Sequence, residues 1–422
     1  MVLTVVDLLA TRVVGQASRR GLIPRVPTGD RLLADVEAWL TTGYPDFVRS
    51  TSRSALETGG ARLDVSLHPA APGFVMTATD TGRVGVDADT TVVGPGYHRF
   101  IVRVLERMGS ELAISWSEDP AGDRAATERA YLGWLGRALV DARAARAAGR
   151  DGIHLATPAG TRFTFDGAIA TVLGPRDDAW LDSAVGDTRI ATDITPWWAD
   201  ATDGQSLLNR ALCLIWLDVR WRAPALKAEG LLMDEVHRLL SKAFPLDPTL
   251  AYPWRAWAEL VGLRGLDDPM SRQVVARAAQ APDAVREIGY RRAPVTISHE
   301  GWALTIPGSF AERRTPDEWW GGGAGRGITL AAVPTGSAAG AMGAAAFIQQ
   351  FGGDLGPDAI DHRAGGVLGR ATLTTDTRSG VEVGVLEGYS AVVGSGAAIR
   401  IEFDDPADWQ WAIDMWRSLA PG

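Results

Sequence analysis

The sequence contains very little cysteine and very little lysine. Among 422 residues there are one cysteine, Cys213, and two lysines, Lys227 and Lys242. A single cysteine excludes an internal disulfide and a cluster of metal-bound thiolates. Because Cys213 lies in the apolar stretch ALCLIWLDV, we expect its thiol to be buried and unreactive.

The chain also lacks an excess of positive charge. It has 51 acidic and 42 basic residues and a net charge of −9, so it offers no cationic surface for the backbone of a nucleic acid. Nearly all of its bases are arginine, and alanine and glycine are abundant. This composition is typical of a high-GC bacterial genome, and we expect a bacterial protein that binds no nucleic acid.

Long apolar runs are absent as well. The first 20 residues have no basic start, and Asp7 and Arg12 interrupt their apolar positions, which predicts an amphipathic helix rather than a secretory signal. The stretch GSAAGAMGAAAFI is too short and too rich in glycine to span a bilayer. We therefore expect a soluble, cytoplasmic protein that does not bind membranes.

The length and the pattern predict an α+β protein with more than one domain. Residues 1–150 alternate helices and strands. Residues 151–292 begin with a hairpin around Pro-Ala-Gly in IHLATPAGTRFTFDG and continue as a helix-rich, tryptophan-rich region, which either stands alone or continues the first domain. Residues 293–422 predict an antiparallel-sheet sandwich closed by a helix.

Two helices of this scheme are defined by apolar stripes. The first is expected to end at Gly109 and to bury Ile101, Val104, Leu105 and Met108. The last helix is expected to bury Trp409, Ile413 and Trp416. Asp123 and Asp203 stand where helix caps are expected.

The C-terminal region, about residues 293–422, resembles the PsbP-like α/β/α sandwich family. WALTIPGSF is similar to the strand that opens that family, and IRIEFDDPADWQWAIDMWRSL is similar to its closing strand and helix. The resemblance implies a module for binding, assembly or chaperoning. It brings no catalytic residue with it.

The stretch VDADTTVVGPGYH, residues 86–98, is the strongest candidate for chemistry. Its D-x-D-x-T pattern is similar to the motif of haloacid dehalogenase-like phosphotransferases. That resemblance would make Asp87 the nucleophile and Asp89 the acid/base, with His98 nearby. A metal-dependent hydrolase or phosphotransferase is therefore the alternative function.

Several features speak against that alternative. The chemistry also needs a lysine and a later acidic pair, whereas the two lysines lie in an amphipathic helix and Asp267-Asp268 in an apparent linker. The preceding DTGRVG is a poor strand. We favour solvated aspartates on the edge of a strand.

The turn after the aspartates could bind an anion. Gly94, Gly96 and Tyr97 lie at a predicted helix start, where free backbone N–H groups favour negative charge. The alternative is that the two glycines shape the turn and that Tyr97 packs beneath it.

Apart from the aspartate pair, the sequence contains no further motif for a cofactor or a metal. The segment GGGAGRG at 321–327 lacks G-x-G-x-x-G spacing and precedes a strand, so it predicts a hairpin tip. No glycine loop ends in Gly-Lys. The six histidines form no H-x-H or H-x-x-x-H pair. We expect no cofactor and no metal.

Tryptophan is abundant, with 16 residues. Several tryptophans stand beside proline or arginine at helix ends, and tryptophan and arginine dominate the energetics of protein interfaces. The candidates for contacting a partner are Trp197, Trp198, Trp221, Arg222 and Trp254. Burial in the core is the alternative. The sequence favours a non-enzymatic adaptor or chaperone-like protein that binds another, unidentified protein.

Overall fold

The computed structural model of the chain describes residues 10–18, 27–57, 59–117, 123–150, 152–158, 161–163, 168–199, 202–281, 288–315, 317–334, 342–378 and 380–422. Within these residues the protein has an α+β architecture. It has a mixed N-terminal region, a helix-rich middle region and a C-terminal antiparallel sheet with helices.

The N-terminal region is an antiparallel six-stranded sheet with its first two helices packed on one face. Its elements are β1 (Ala10–Ala17), α1 (Gly29–Gly43), β2 (Ser50–Ala55), β3 (Ala61–Ser66), β4 (Phe74–Ala78), β5 (Arg83–Asp89), α2 (Pro95–Leu112), β6 (Ile114–Trp116) and the longer α3 (Arg124–Ala147). The strand order is β2-β3-β4-β5-β1-β6. Alternate residues of β5, such as Val84 and Val86, are buried in the same apolar cluster as Leu33 of α1 and Leu105 of α2.

The middle region is mainly helical. Its elements are β7 (Ile153–His154), β8 (Thr161–Phe163), β9 (Ile169–Ala170), α4 (Asp178–Gly186), α5 (Gly204–Leu217), α6 (Lys227–Leu246), α7 (Trp254–Arg264) and α8 (Pro269–Ala278), with 3₁₀ turns at Ile190–Ile194 and Tyr290–Arg292. Helices α5 to α8 enclose an apolar cluster of their own. Side chains of Asp123, Asp203 and Asp268 accept hydrogen bonds at the starts of α3, α5 and α8, so the two predicted caps are confirmed.

The C-terminal region is built mostly from antiparallel strands. Its elements are β10 (Val295–His299), β11 (Trp302–Ile306), β12 (Ala311–Arg314), β13 (Trp319–Gly323), β14 (Arg326–Pro334), α9 (Ala344–Gly352), β15 (Ile360–Ala364), β16 (Val367–Arg378), β17 (Val381–Val392), β18 (Ser395–Phe403), α10 (Trp409–Arg417) and β19 (Ala420–Pro421), with 3₁₀ turns at Gly353–Leu355 and Pro406–Asp408. The seven-stranded sheet has the order β12-β13-β14-β18-β17-β16-β15. The predicted hairpin tip at 321–327 is confirmed as the turn between β13 and β14.

Helices α9 and α10 lie on opposite faces of the seven-stranded sheet. Phe347 of α9 packs over Gly396, which pairs with Ala391 of β17. Trp416 of α10 packs over Gly388, three positions away on the same strand. Because side chains alternate along a strand, an odd separation places these two contacts on different faces.

The three regions share contacts across the predicted boundaries. Strand β8 pairs with β10, with Phe163 opposite Val295, and so completes a four-stranded sheet of order β19-β11-β10-β8. One continuous apolar cluster contains residues of the first and of the last region. The boundaries at 150 and 292 stay predictions, and a fragment that begins at 293 lacks one strand of this sheet.

The expected N-terminal helix is wrong over residues 10–17, which form β1; residues 1–9 lie outside the described residues. β1 pairs with β5 and β6. Val13 and Ala17 are buried, whereas Val14 is 40% exposed. Burial at every second residue is typical of a strand. Apolar content alone does not distinguish such a strand from an amphipathic helix.

The hairpin expected within 153–167 is also wrong in its described part. Ile153–His154 pairs in parallel with Ile169–Ala170, and Thr161–Phe163 pairs with β10. His154 nevertheless lies against Phe163, whose backbone N–H donates to His154 Nε2 over 3.3 Å. Long-range partners therefore replaced the local pairing that the turn sequence suggested.

Two smaller expectations about helices need correction. The helix expected to end at Gly109 continues to Leu112 and stops at Ala113, which adopts a left-handed conformation (φ 53°). In the last helix Trp416 is buried as expected, but Ile413 is only half-buried and Trp409 is 39% exposed. The other buried residues of this helix are Ala412 and Met415. The buried thiol of Cys213 is confirmed, and burial raises its pKa.

Candidate functional site

The paired aspartates lie within a strand rather than beyond its end. Asp87 and Asp89 belong to β5, which lies between β4 and β1. Of the preceding DTGRVG, expected to be a poor strand, only the last three residues belong to β5. Both aspartates point away from the buried face of β5, and Asp87 is exposed. Both neighbours of β5 are antiparallel. A phosphotransferase motif would instead follow a strand of a parallel, doubly wound sheet.

The polar side chains after β5 bond within the turn. Asp89 Oδ1 accepts from the backbone N–H of Thr91 at 2.9 Å and from its hydroxyl at 2.6 Å. Thr90 Oγ1 lies 3.0 Å from His98 Nδ1. These contacts are typical of a turn that is stabilised by its own side chains.

The predicted anion-binding turn is covered by residues 195–199. The backbone N–H of Gly96 donates to the carbonyl of Trp197 over 3.0 Å. Gly94 has φ 112°, and a Cβ there would lie 2.2 Å from Thr195 Cγ2. Tyr97 is buried against His68 and Trp197. The glycines thus allow close packing here, as the alternative interpretation holds, and anion binding stays a prediction.

Trp197, the first of the predicted contact residues, lies in the core. It is 2% exposed and packs against Phe47 and Phe100, with ring centroids 5.8 and 5.2 Å away. Trp198 is half-buried, contacts Tyr131 edge-on, and lines a cavity of about 330 Å³ together with Asn209.

The other three predicted contact residues also have intramolecular partners. The guanidinium of Arg292 lies 3.6 Å from the ring centroid of Trp221. Arg222 donates to the carbonyl of Ser309 and to Glu229. Trp254 stacks on Trp257 and is covered by Arg277, at 5.5 and 5.0 Å. The five residues are therefore spread over several internal contacts rather than gathered on one surface.

A Ser–Asp–His cluster joins α6, α7 and α8. His237 Nε2 lies 3.1 Å from Asp268 Oδ2, and Trp257 Nε1 donates to His237 Nδ1 over 3.0 Å. The buried hydroxyl of Ser271 donates to Asp268 over 2.6 Å and lowers the pKa of that carboxyl to about 2. Because the hydroxyl bonds the aspartate and not the imidazole, the arrangement cannot activate a nucleophile.

Among the described residues, no group of three or more His, Cys, Asp or Glu side chains is arranged to hold a metal ion. In the same part of the chain, no helix is both long and apolar enough to cross a membrane.

A groove lies between the loop after α1 and helix α6, and we call it the α6 groove. Its volume is about 550 Å³, and it is lined by Pro45, Asp46, Val48, Arg49, Ser50, Ser66, Ala228, Leu231, Leu232, Glu235 and Arg238. On α6, the residues Leu231, Glu235 and Arg238 face the groove at spacings of four and three, which place them on one face of a helix. Leu231 is 58% exposed.

The loop wall of the groove is held by charge and by aromatic packing. Asp46 Oδ1 accepts from Arg238 Nη1 at 2.8 Å and from Lys242 Nζ at 2.7 Å. The next residue, Phe47, inserts into the core, and the guanidinium of Arg210 lies 4.9 Å from its ring centroid. These contacts attach the loop to α5 and α6.

The floor of the groove contains a buried ion cluster. Glu235 lies 3.2 Å from Arg49 Nε and 3.5 Å from Arg210 Nη2. Arg210 is 1% exposed, and its burial lowers its pKa to about 10. Its Nη2 also donates to the carbonyl of Asp46 over 3.0 Å.

No protein-family model and no curated protein matches the chain. A solved structure from Bacteroides thetaiotaomicron VPI-5482 is similar to 29% of this chain and to 45% of its own length, with 10% identical residues and a TM-score of 0.25. The similarity thus covers less than half of that structure, and at this TM-score it assigns neither fold nor family.

Sequence reasoning missed the α6 groove. Glu235 was not among the candidate residues, although its side chain is only 17% exposed and contacts two arginines. A signal was present, because Leu231, Glu235, Arg238 and Lys242 recur on one face of a helix whose other face is apolar. The loop that completes the groove is about 190 residues away in sequence.

Proposed function

We propose that the protein is a non-enzymatic accessory protein that binds another protein, as an adaptor or a chaperone does. The α6 groove is the observation that carries this proposal. It combines a leucine that is 58% exposed with neighbouring charged side chains, and interfaces typically have an apolar centre with a polar rim. The resemblance of residues 293–422 to a family of binding and assembly modules supports the same function.

The aspartate turn supports the hydrolase alternative less well. Asp87 and Asp89 lie within an antiparallel strand, and Asp89 already accepts two hydrogen bonds from Thr91. General acid–base chemistry would require that carboxyl to exchange protons with a substrate. We therefore place function in the groove rather than at the turn.

Crosslinking in the native host tests the proposal. A photoreactive amino acid replaces Leu231 in the full-length chain, and a matched variant carries it at Leu246, which lies on the same helix and is 63% exposed. We expect one defined protein adduct from position 231 and none from position 246. The same adducts from both positions, or none from position 231, would contradict binding through the groove.

A further inference from the structure

The charges around the α6 groove do not balance. Four cations, Arg49, Arg210, Arg238 and Lys242, face two groove carboxylates, Asp46 and Glu235. The nearby Asp218 is buried, which raises its pKa, and Arg49 acts against that shift. Even with Asp218 ionised the cluster stays positive, on a chain whose net charge is −9.

Part of this positive charge lacks hydrogen-bond acceptors. The Nε and Nη1 atoms of Arg210 are buried and have no hydrogen-bond partner in the part of the chain that the structure describes. A buried cation is costly unless acceptors surround it. Another negative group close to the cluster would therefore be stabilised.

The rim of the groove can receive such a group. Asp46 Oδ1 is shared by Arg238 and Lys242. The carboxylate of a ligand can form an ion pair with Arg238, whose side chain is 37% exposed. Lys242 then remains paired with Asp46. Leu231, Leu232 and Val48 supply apolar surface beside it.

We infer that the α6 groove binds a short segment of a partner protein in which an acidic residue stands next to an aliphatic one. The carboxylate pairs with Arg238 and Arg49, and the aliphatic side chain covers Leu231. A volume of about 550 Å³ accommodates a few side chains rather than a folded domain. This inference rests on the proposed function and specifies the chemistry of the partner.

Selection from a displayed library of random peptides on the immobilised full-length protein tests the inference. We expect enriched peptides to combine Asp or Glu with Leu, Ile or Val, and to bind more weakly as salt is added. Arg238→Gln and Leu231→Asp should each weaken the enriched peptides by about tenfold or more, because each removes one of the two contacts.

Two matched variants serve as controls. Leu246→Asp alters an equally exposed leucine of α6, and Arg272→Gln removes an exposed arginine that pairs with Asp267. Both should bind the peptides like the parent. Thermal unfolding of all four variants checks that they fold.

Three outcomes would overturn the inference. Basic peptides are enriched, no peptide is enriched, or the substitutions at positions 231 and 238 leave the affinity for the enriched peptides unchanged. If a host protein still crosslinks at position 231 in those cases, the proposed function stands and only the acidic–aliphatic chemistry fails. If peptides bind as expected but no host protein crosslinks, the proposed function fails instead.

Discussion

Replacing Gly96 by alanine tests whether residues 195–199 are packed on the start of α2. A Cβ at this position would lie 2.0 Å from the carbonyl oxygen of Ala199 and 2.7 Å from Trp197 Cδ1. Gly96 does not have a positive φ, so alanine is not strained there and the cost comes from crowding alone. To make room, the segment must move away from α2.

The free-energy cost of that movement can be estimated from the structure. Overpacking costs about 1–3 kcal/mol. Weakening the bond from the Gly96 N–H to the Trp197 carbonyl and that from the Trp197 N–H to the Val93 carbonyl adds about 0.5–1.5 kcal/mol each. Replacing glycine by alanine in a helix stabilises the folded protein by about 0.5–1 kcal/mol, which offsets part of this cost. We expect Gly96→Ala to lower the free energy of unfolding by about 1–5 kcal/mol.

Urea unfolding followed by tryptophan fluorescence measures this change, with Gly133→Ala as the control. Gly133 is exposed in α3, and a Cβ there meets nothing closer than Arg137 Nη1 at 3.8 Å. Alanine at 133 should therefore stabilise the protein by about 0.5–1 kcal/mol. An unfolding midpoint of Gly96→Ala at or above that of the parent would refute the packing of residues 195–199 on α2.

Three further predictions concern acid, a buried ion network and the aspartate turn. Burial lowers the pKa of His154 to about 4, below its value of about 6.5 in the unfolded chain. The contribution of neutral His154 to the free energy of unfolding is therefore complete above about pH 6.5 and is lost as the pH falls towards 4. Urea titrations should show a loss of up to about 3 kcal/mol from this group, and a flat profile would contradict its burial. Glu312→Gln leaves Arg220 and Arg291 without their shared carboxylate and should cost about 3–5 kcal/mol in the same assay; the exposed Glu387→Gln should cost less than about 1 kcal/mol, and equal losses would refute the network. Asp87→Asn should fold within about 0.5 kcal/mol of the parent, and neither protein should hydrolyse an aryl phosphate with Mg²⁺; turnover that disappears in the variant would establish the enzyme alternative.

Much of the local structure could be predicted from the sequence, because it depends on neighbours along the chain. The hairpin of β10 and β11, the closing helix α10, and the caps at Asp123 and Asp203 follow from alternation, helical spacing and capping chemistry. The buried Cys213 follows from its apolar surroundings. The caps and the hairpin depend on residues close in sequence, whereas Cys213 is buried in a cluster that joins distant regions.

The candidate site could not be predicted in this way. Asp46 follows α1, and Arg238 lies on α6, far away in the sequence. If the two elements were apart, these charged residues would be solvated, and they form the groove only because the elements pack together. Trp197 illustrates the same limit: its position beside proline suggested a contact surface, but packing against Phe47 and Phe100 placed it in the core. Spacing indicates which face of a helix a residue occupies, but not what lies opposite that face.

The sequence by itself determined the α+β class, the order of the main regions, the single cysteine and the net charge of −9, because composition and the periodicity of apolar residues do not depend on long-range contacts. The tertiary structure alone decided that Thr161–Phe163 pairs with Val295–Ile297 and that Arg210 is buried beneath the α6 groove. Strand pairing and charge burial depend on partners that lie far apart in the sequence. They are decided only when the regions pack together. A polar group that becomes buried then needs a partner, because burial without one costs free energy.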